Sequence, residues 1–317
     1  MNGLEISRAY FEQHGMPMLK EQFPDLLPQL AAGLAGSGSE CFGYDDELSR
    51  DHDFEPGFCL FLPGEDRVSR QQEFLLERAY AKLPRRFMGI SRPLMQPAGG
   101  ARRGVVRISG FFREKTGSEN GDLTPLEWLN VPQSALAEAV NGEIFYDGPG
   151  IITGIRDRLA GYPEDIRRKK LAGHMLLMAQ SGRYNYPRCV ERGETGAAQL
   201  AVFEFARHSM AAIFLLNRRY RPYYKWCFRA LRALPRLSLN AELLEYLITT
   251  GSDGDLFRDK REAMDSVAAD VIEEAQHQQL TRAECGDLEK HAYSVADGIR
   301  DARIRNLHIL AGAEDSV

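Results

Sequence analysis

The pattern of apolar and polar positions changes character near residue 150. Before that point it predicts strands, where short apolar runs are bounded by turn residues, at residues 58–62, 104–112 and 143–147. It predicts helices where apolar positions recur at helical spacing. These are residues 4–33 with a break near Phe23 and Pro24, a helix capped by Ser69 with apolar positions Phe74, Leu75, Ala79 and Leu83, and residues 125–141.

After Gly150 every long segment carries helical spacing. The amphipathic patterns cover residues 163–181, 190–219, 238–250, 259–279 and 284–309. A switch from mixed helices and strands to helices alone predicts an α+β architecture. We expect a small mixed sheet with flanking helices in residues 1–150 and an all-α helical bundle in residues 151–317.

Composition narrows the class of protein. The chain of 317 residues suits two domains, and no apolar run reaches the roughly 18 residues of a membrane span. The amino terminus lacks a basic start followed by an apolar run, and the five cysteines are odd in number and scattered. We therefore expect a cytoplasmic protein with reduced thiols and no membrane partner.

The charge of the chain is weak evidence about nucleic-acid binding. The net charge of −5 gives no general attraction to phosphates. Residues 183–236, however, carry eleven lysines and arginines against three acidic residues. This surplus is either an anion-facing surface or a solvated helix face, so nucleic acid is a less favoured partner.

The stretch richest in chemistry is Gly36-Ser37-Gly38-Ser39 followed by Asp51-His52-Asp53. If residues 49–54 are extended, Asp51 and Asp53 project to one face and His52 to the other. Two adjacent carboxylates repel unless a cation lies between them, and Mg²⁺ prefers carboxylate and phosphate oxygens. The Gly-rich turn can bring backbone N–H groups close to a phosphate, and Ser37 or Ser39 can add a hydroxyl. Taken singly, each motif is also typical of surface turns.

In this order the two motifs resemble the polymerase-β superfamily of nucleotidyltransferases, in which a helix, a Gly-Ser loop and about ten residues precede Asp-x-Asp on a strand. Here 13 residues separate Ser37 from Asp51, and 11 separate Ser39 from Asp51. The segment before the loop, DLLPQLAAGL, reads as an apolar helix.

Three further segments, SRDHDF, GEIFYDGPGIITGIRDRLAGYP and FLLNRRYRPYYKW, resemble an uncharacterised bacterial family of nucleotidyltransferase-like proteins. These proteins join a nucleotidyltransferase head to a helical domain similar to that of aminoglycoside adenylyltransferases. The resemblance implies a nucleotidyltransferase domain in residues 1–150 and a helical substrate or accessory domain in residues 151–317.

The resemblance also implies a reaction and a site. A nucleoside monophosphate, AMP in the favoured version, would pass from an NTP such as ATP to a hydroxyl of a small molecule, with release of pyrophosphate. Asp51 and Asp53 would hold Mg²⁺ or Mn²⁺. The residues Gly36, Ser37, Gly38 and Ser39 would form the phosphate loop.

Two departures from the superfamily pattern keep other functions open. His52 stands where an apolar residue is usual, although the uncharacterised family resembles DHD itself. The strand expected to bear a third carboxylate, Gly104–Gly110, carries no acid, and Glu114, Glu143 and Asp147 are not placed by any motif. A nucleotide-binding sensor or scaffold without turnover, and nucleotidyl transfer to RNA or protein, therefore remain alternatives.

Two residues of the helical region are candidates for catalysis. Lys225, in PYYKW, is expected to face the triphosphate across an interdomain cleft, held by neighbouring aromatic residues; the alternative is an exposed lysine. Glu194, favoured over Glu191, is a candidate general base for the acceptor hydroxyl, and equally a helix-start acid. His174, His208, His277, His291 and His308 occur singly and are expected to be ordinary helix residues.

Overall fold

The computed structural model describes residues 1–47, 55–92, 103–252 and 254–313. They fold into two compact units. The first comprises Met1–Leu123 with Ala135–Ala160, and the second comprises Thr124–Ser134 with Gly161–Val317. The predicted domain boundary at residue 150 lies inside the first unit.

The first unit contains a mixed four-stranded sheet. Its strands are β1 (Ala31–Leu34), β2 (Cys59–Leu62), β5 (Gly104–Arg107) and β6 (Glu143–Asp147), in the order β5-β2-β1-β6. β1 is antiparallel to both of its neighbours, whereas β2 and β5 are parallel. In this register the end of β1 lies beside the beginnings of β2 and β6, and the beginning of β5 follows next to β2.

Helices flank this sheet. They are α1 (Gly3–Tyr10), α2 (Met16–Gln22), α3 (Arg70–Ala81), α4 (Ile108–Thr116) and α7 (Ile151–Leu159), and α6 (Gln133–Val140) begins two residues before the unit resumes. A π-helical turn, Phe11–Gly15, joins α1 to α2, and the short strands β3 (Arg86–Phe87) and β4 (Ile90–Ser91) form a hairpin. Ser69 and Gln72 form a capping box at α3, which confirms the predicted helix start.

The second helix predicted in residues 4–33, after the break near Phe23 and Pro24, is wrong, because this stretch contains only the 3₁₀ turn Leu27–Gln29 and strand β1, Ala31–Leu34. All four residues are buried, and the strand is paired on both sides. The hydrogen bonds to the two neighbouring strands therefore outweigh the helical preference of alanine and leucine. The Gly-Ser loop accordingly follows a strand rather than the apolar helix expected from the sequence.

Three further expectations need correction. The strand predicted at residues 104–112 ends at Arg107, and Ile108 begins α4. On α3, Phe74 and Leu75 are exposed, whereas Leu76 lies in the core. The helix predicted at residues 125–141 is two helices, α5 (Pro125–Asn130) and α6, since Pro132 lies between them.

All the regular secondary structure in the described residues of the second unit is helical. Its elements are α5 (Pro125–Asn130), α8 (Glu164–Met178), α9 (Tyr186–Glu191), α10 (Thr195–Leu216), α11 (Tyr224–Arg232), α12 (Asn240–Thr249), α13 (Phe257–His277), α14 (Leu288–Asp297) and α15 (Ala302–Arg305). A π-helical segment, Ala179–Asn185, joins α8 to α9. The α+β class, with a small mixed sheet, flanking helices and a helical carboxyl-terminal region, is therefore confirmed.

Helix α10 is long and apolar enough, by length and composition alone, to span a membrane. However, 67% of its most apolar window is buried within the fold. Burial of that kind is typical of the central helix of a globular unit, where a helix is apolar on most of its faces.

Among the described residues of the second unit, the buried lysine and arginine side chains are Arg167, Lys169, Lys170 and Lys260. Each donates hydrogen bonds to main-chain carbonyls. Lys170 Nζ, for example, lies 2.8 Å from the carbonyl oxygens of Leu129 and Gly312. Carbonyls at helix ends and in loops have no partner within a helix, so these cations satisfy groups that would otherwise be buried unbonded.

His174 and His208 do not act as isolated helix residues. They lie on the packed helices α8 and α10, both are buried, and their Nδ1 atoms are 3.0 Å apart. A hydrogen bond between them requires one protonated and one unprotonated Nδ1. Among the described residues, His174 Nε2 has no hydrogen-bond partner. Burial, and then the charges of His208 and Arg221, hold the pKa of His174 well below its usual 6.5.

This pair predicts a pH dependence of stability. Because His174 stays neutral in the folded state and titrates near 6.5 when unfolded, only the unfolded state gains its proton as the pH falls below 6.5. His174→Gln should therefore reduce the loss of unfolding free energy between pH 6 and pH 5 by about 1 kcal/mol. Urea denaturation at both pH values tests this, with the exposed His308→Gln as control. Equal slopes for His174→Gln and the wild type would contradict it.

Candidate functional site

The candidate site lies in the first unit, at one edge of the sheet. The loop that follows β1 meets the beginnings of β2, β5 and β6 there, as the strand register requires. Loops at one end of a sheet bring residues that are distant in sequence close together. The predicted phosphate loop, Gly36–Ser39, occupies this position.

The backbone of the loop depends on glycine and on Asn141. Gly36 and Gly38 have φ of +108° and +129°, which L-residues adopt rarely. The Asn141 side chain accepts a hydrogen bond from the Gly36 N–H and donates one to the Gly36 carbonyl, both at 2.8 Å. Asn141, which the sequence did not single out, therefore fixes the entrance of the loop.

The rest of the loop presents polar groups. Ser37 and Ser39 are partly exposed, and Ser39 directly precedes a 3₁₀ turn, Glu40–Phe42. Within the described ranges, the N–H groups of Ser37, Gly38 and Ser39 donate no hydrogen bond to another residue. Several N–H groups in one short loop are a typical setting for an anion.

A buried ion pair lies next to the loop. Glu40 and Arg103 are both buried, and Arg103 Nη2 donates to Glu40 Oε1 at 3.0 Å. Glu55 Oε1 lies 3.8 Å from the same guanidinium. A Cβ on Gly38 would stand 2.7 Å from the Glu40 carboxylate, so this pair also limits the residue at that position. Glu40 and Arg103 have no periodic or motif signal, which is why sequence reasoning missed them.

The two cysteines near the loop are structural thiols. Burial raises the pKa of Cys41 well above its usual value and that of Cys59 to about 11. Both are therefore protonated at neutral pH, whereas a metal ligand or a nucleophile must be a thiolate. This supports the expectation of ordinary reduced cysteines at these two positions.

The predicted metal ligands Asp51 and Asp53 lie outside the described residues, so their assignment stays a prediction. In the described part of the chain, no group of three or more His, Cys, Asp or Glu side chains could hold a metal ion. The carboxylates of Glu40 and Glu55 face Arg103 instead. A metal at this edge would therefore depend on Asp51 and Asp53.

The three acids considered for the third carboxylate have structural contacts. Glu143 forms an ion pair with Arg8, and Glu114 forms one with Lys115 at 2.9 Å. Asp147 accepts a hydrogen bond from the N–H of Thr153, in the first turn of α7, at 2.9 Å. Each of the three therefore makes at least one structural contact, although Asp147 Oδ1 is buried without a hydrogen-bond partner among the described residues.

Lys225 and Glu194 both lie in the second unit. Lys225 is exposed, with Nζ 4.9 Å from the centroid of the Trp226 ring. Tyr223 and Tyr224 pack on each other and are 51% and 76% exposed, so they do not form the packed support expected for Lys225. Glu194 precedes α10, is exposed and makes no side-chain cap hydrogen bond.

Much of the basic surplus at residues 183–236 is neutralised within the second unit. Ion pairs with acidic residues in the described part of the chain include Arg183 with Asp287, Arg207 with Glu204, Arg218 with Glu164, Arg232 with Glu245 and Arg236 with Glu274. Paired guanidiniums offer less charge to phosphates, so these contacts weaken the case for nucleic acid.

A protein-family model described as a domain of unknown function (DUF4037) matches residues 128–227. The matched segment includes Asn141, Glu194 and Lys225. No curated protein matches the chain in sequence. Among solved structures the chain is similar to a nucleotidyltransferase-like protein from Exiguobacterium sibiricum 255-15, with a TM-score of 0.38 and 11% identity over 89% of each chain. A similarity this low carries no argument about activity.

Proposed function

We propose that this protein is a Mg²⁺-dependent nucleotidyltransferase that transfers AMP from ATP to a hydroxyl of a small molecule. The observation that carries the proposal is the loop Gly36–Ser39 at the edge of the sheet, followed in the sequence by Asp51 and Asp53. A phosphate-binding loop and a paired carboxylate are the two parts that a nucleoside triphosphate with its metal requires.

The geometry of the loop supports phosphate binding. The N–H groups of Ser37, Gly38 and Ser39 have no partner among the described residues, and Asn141 fixes the first glycine of the loop. Glu40 would repel a phosphate if its charge were free, but it is paired with Arg103. The loop therefore offers unpaired N–H donors beside a carboxylate whose charge is partly offset by Arg103, which is favourable for an anion.

The metal would be held by Asp51 and Asp53. In the sequence Asp53 precedes Glu55 by two residues, and Glu55 lies at the same edge as the loop. When bound, Mg²⁺ or Mn²⁺ supplies positive charge to the phosphate oxygens. The chain's own residues then bind and orient the triphosphate, with Lys225 proposed as a further positive charge.

The proposed reaction balances without any further reactant. The acceptor oxygen forms a bond to the α-phosphorus, and the bond from that phosphorus to the oxygen bridging to the β-phosphorus breaks. Pyrophosphate leaves with the bonding electron pair. The acceptor's proton passes to a carboxylate, for which Glu194 is the proposed general base.

The test has two stages. Thermal unfolding of the wild type should shift upward with ATP only when Mg²⁺ is present, because ligands that bind the folded state stabilise it. Pyrophosphate release is then measured with a panel of hydroxyl-bearing small molecules. The absence of any shift with ATP, CTP, GTP or UTP in Mg²⁺ would contradict the proposal.

A nucleotide-binding protein without turnover is the second candidate. The observation that favours it is the engagement of Glu114, Glu143 and Asp147 in structural contacts, which leaves the third carboxylate of polymerase-like sites unassigned. A Mg²⁺-dependent shift with ATP, combined with no pyrophosphate release from any acceptor, would favour this candidate over the enzyme.

Asn141→Ala is expected to weaken ATP binding about tenfold. The substitution removes both hydrogen bonds to Gly36, each worth on the order of 1 kcal/mol, and so loosens the loop that meets the phosphates. Calorimetric titration with Mg-ATP measures the change. Asn120→Ala, at an exposed turn of the same unit, is the matched control. Equal affinity for Asn141→Ala and the wild type would remove Asn141 from the site.

A further inference from the structure

The second unit contains a pocket of about 550 Å³ that the proposed reaction does not use. It lies among the first turn of α8, the segment after α13 and the last turn of α14. Three arginines line it, Arg168, Arg282 and Arg300, together with the acids Glu164, Asp165 and Asp297. This volume is within the usual range of small-molecule sites.

Two of the three acids are already engaged. Glu164 is shared by three guanidiniums, those of Arg167, Arg168 and Arg218, at 2.8 to 3.3 Å. Asp165 accepts the N–H groups of Arg300 and Asp301 at 3.1 and 2.8 Å. Three guanidiniums therefore compensate the charge of Glu164 before any ligand arrives, and two backbone N–H groups hold the Asp165 carboxylate in place.

The arginines are engaged differently. Arg168 Nη1 donates to the Leu280 carbonyl at 3.0 Å and lies so close to Gly298 that a Cβ there would be 2.5 Å away. Arg168 is thus fixed at the pocket wall. In the part of the chain that the structure describes, the guanidiniums of Arg282 and Arg300 form no ion pair or hydrogen bond. The amino-terminal end of α8 adds its partial positive charge to the same wall.

We infer that this pocket binds an organic anion, a phosphate ester or a carboxylate, through Arg282 and Arg300 beside the fixed Arg168. Guanidinium groups suit both anions because their paired N–H donors match two oxygens at once. The Asp297 carboxylate has no partner among the described residues, and it accepts a hydrogen bond from a hydroxyl or amino group of the same ligand. The inference stands apart from the proposed nucleotidyl transfer.

Calorimetric titration of the full-length protein, in chloride buffer without nucleotide, tests the inference. The probes are inorganic phosphate, glycerol 3-phosphate and citrate, with neutral glucose for comparison. At least one organic anion should bind with a Kd below about 1 mM, and glucose should not. A preference for glycerol 3-phosphate or for citrate identifies the anionic group as phosphate or carboxylate.

Variants place the binding in the pocket. Arg282→Gln with Arg300→Gln should weaken the bound anion at least about tenfold, because two unpaired charges are lost. Arg258→Gln, an exposed arginine of α13 that does not line the pocket, should leave the affinity unchanged. Failure of every anion to bind the wild type below about 1 mM would overturn the inference. Equal affinity in the double variant and the wild type would do so as well, whatever the result with ATP.

Discussion

Asp51→Asn and Asp53→Asn are each expected to lower the rate of pyrophosphate release by more than about 10³-fold, on the order of 4 kcal/mol of transition-state stabilisation. Asparagine keeps the shape of the side chain but removes the charge that holds the metal. The described acids near the phosphate loop cannot replace it, because Glu40 and Glu55 face Arg103. The rate is measured at saturating ATP over a range of Mg²⁺ concentrations.

A change of fold must be separated from a change of chemistry in this experiment. Asp66→Asn makes the same chemical change at an exposed turn of the first unit and should keep both the rate and the melting temperature. The two site variants should keep the wild-type melting temperature but lose the rate of pyrophosphate release. Wild-type rates in both would show that the metal, if the reaction uses one, is bound elsewhere.

The elements that the sequence predicted well are those whose signals are local. The Ser69 cap before α3 and the apolar run that became β2 are both read within a few residues. The strand predicted at residues 143–147 is found as β6, Glu143–Asp147. Helix capping and the alternation of side chains along a strand involve residues only a few positions apart, so a short stretch of sequence is enough to predict them.

Strand β1 shows what a short window lacks. Ala31–Leu34 has the composition of a helix, and only pairing with β2 and β6, about 30 and 110 residues later, makes it a strand. The division of the predicted strand at Arg107 has a related cause. β5 runs beside β2 only as far as Leu62, and the chain then turns into α4.

The candidate site was predictable in part for the same reason. The Gly-Ser loop is a contiguous motif, and its glycines do adopt the positive φ that such a loop requires. Asn141 and Arg103, which act on it, come from sequence positions about 105 and 65 residues away. A polar residue that supports a loop from a distant part of the sequence has no spacing rule, so only the fold reveals it.

The buried lysines had no sequence signal at all. Lys169, Lys170 and Lys260 occupy positions in helical patterns where lysine is normally exposed. Each is buried because the helix end or loop it meets supplies carbonyl oxygens. Helix packing therefore decides their environment, and their contribution to stability follows from the acceptors they satisfy.

Lys260 should show the largest effect on the stability of the helical unit. Its side chain is fully buried, and Nζ lies 2.7 Å from the Thr250 carbonyl, 3.0 Å from that of Leu247 and 3.1 Å from the Gln199 side-chain oxygen. Leu247 is near the end of α12, where carbonyls lack partners within the helix and carry the negative end of its dipole. The ammonium group thus serves as the cap of that helix.

Lys260→Met keeps most of the side-chain volume and removes the donors. The carbonyls of Leu247 and Thr250 would then be buried without a partner, at a cost of about 1–3 kcal/mol each. We expect a loss of about 3–5 kcal/mol in the free energy of unfolding, measured by chemical denaturation followed by circular dichroism. Lys290→Met makes the same change at an exposed position of α14 and should alter the stability by less than about 0.5 kcal/mol. A similarly small effect of Lys260→Met would mean that water replaces the ammonium group at the end of α12, and the capping role would have to be abandoned.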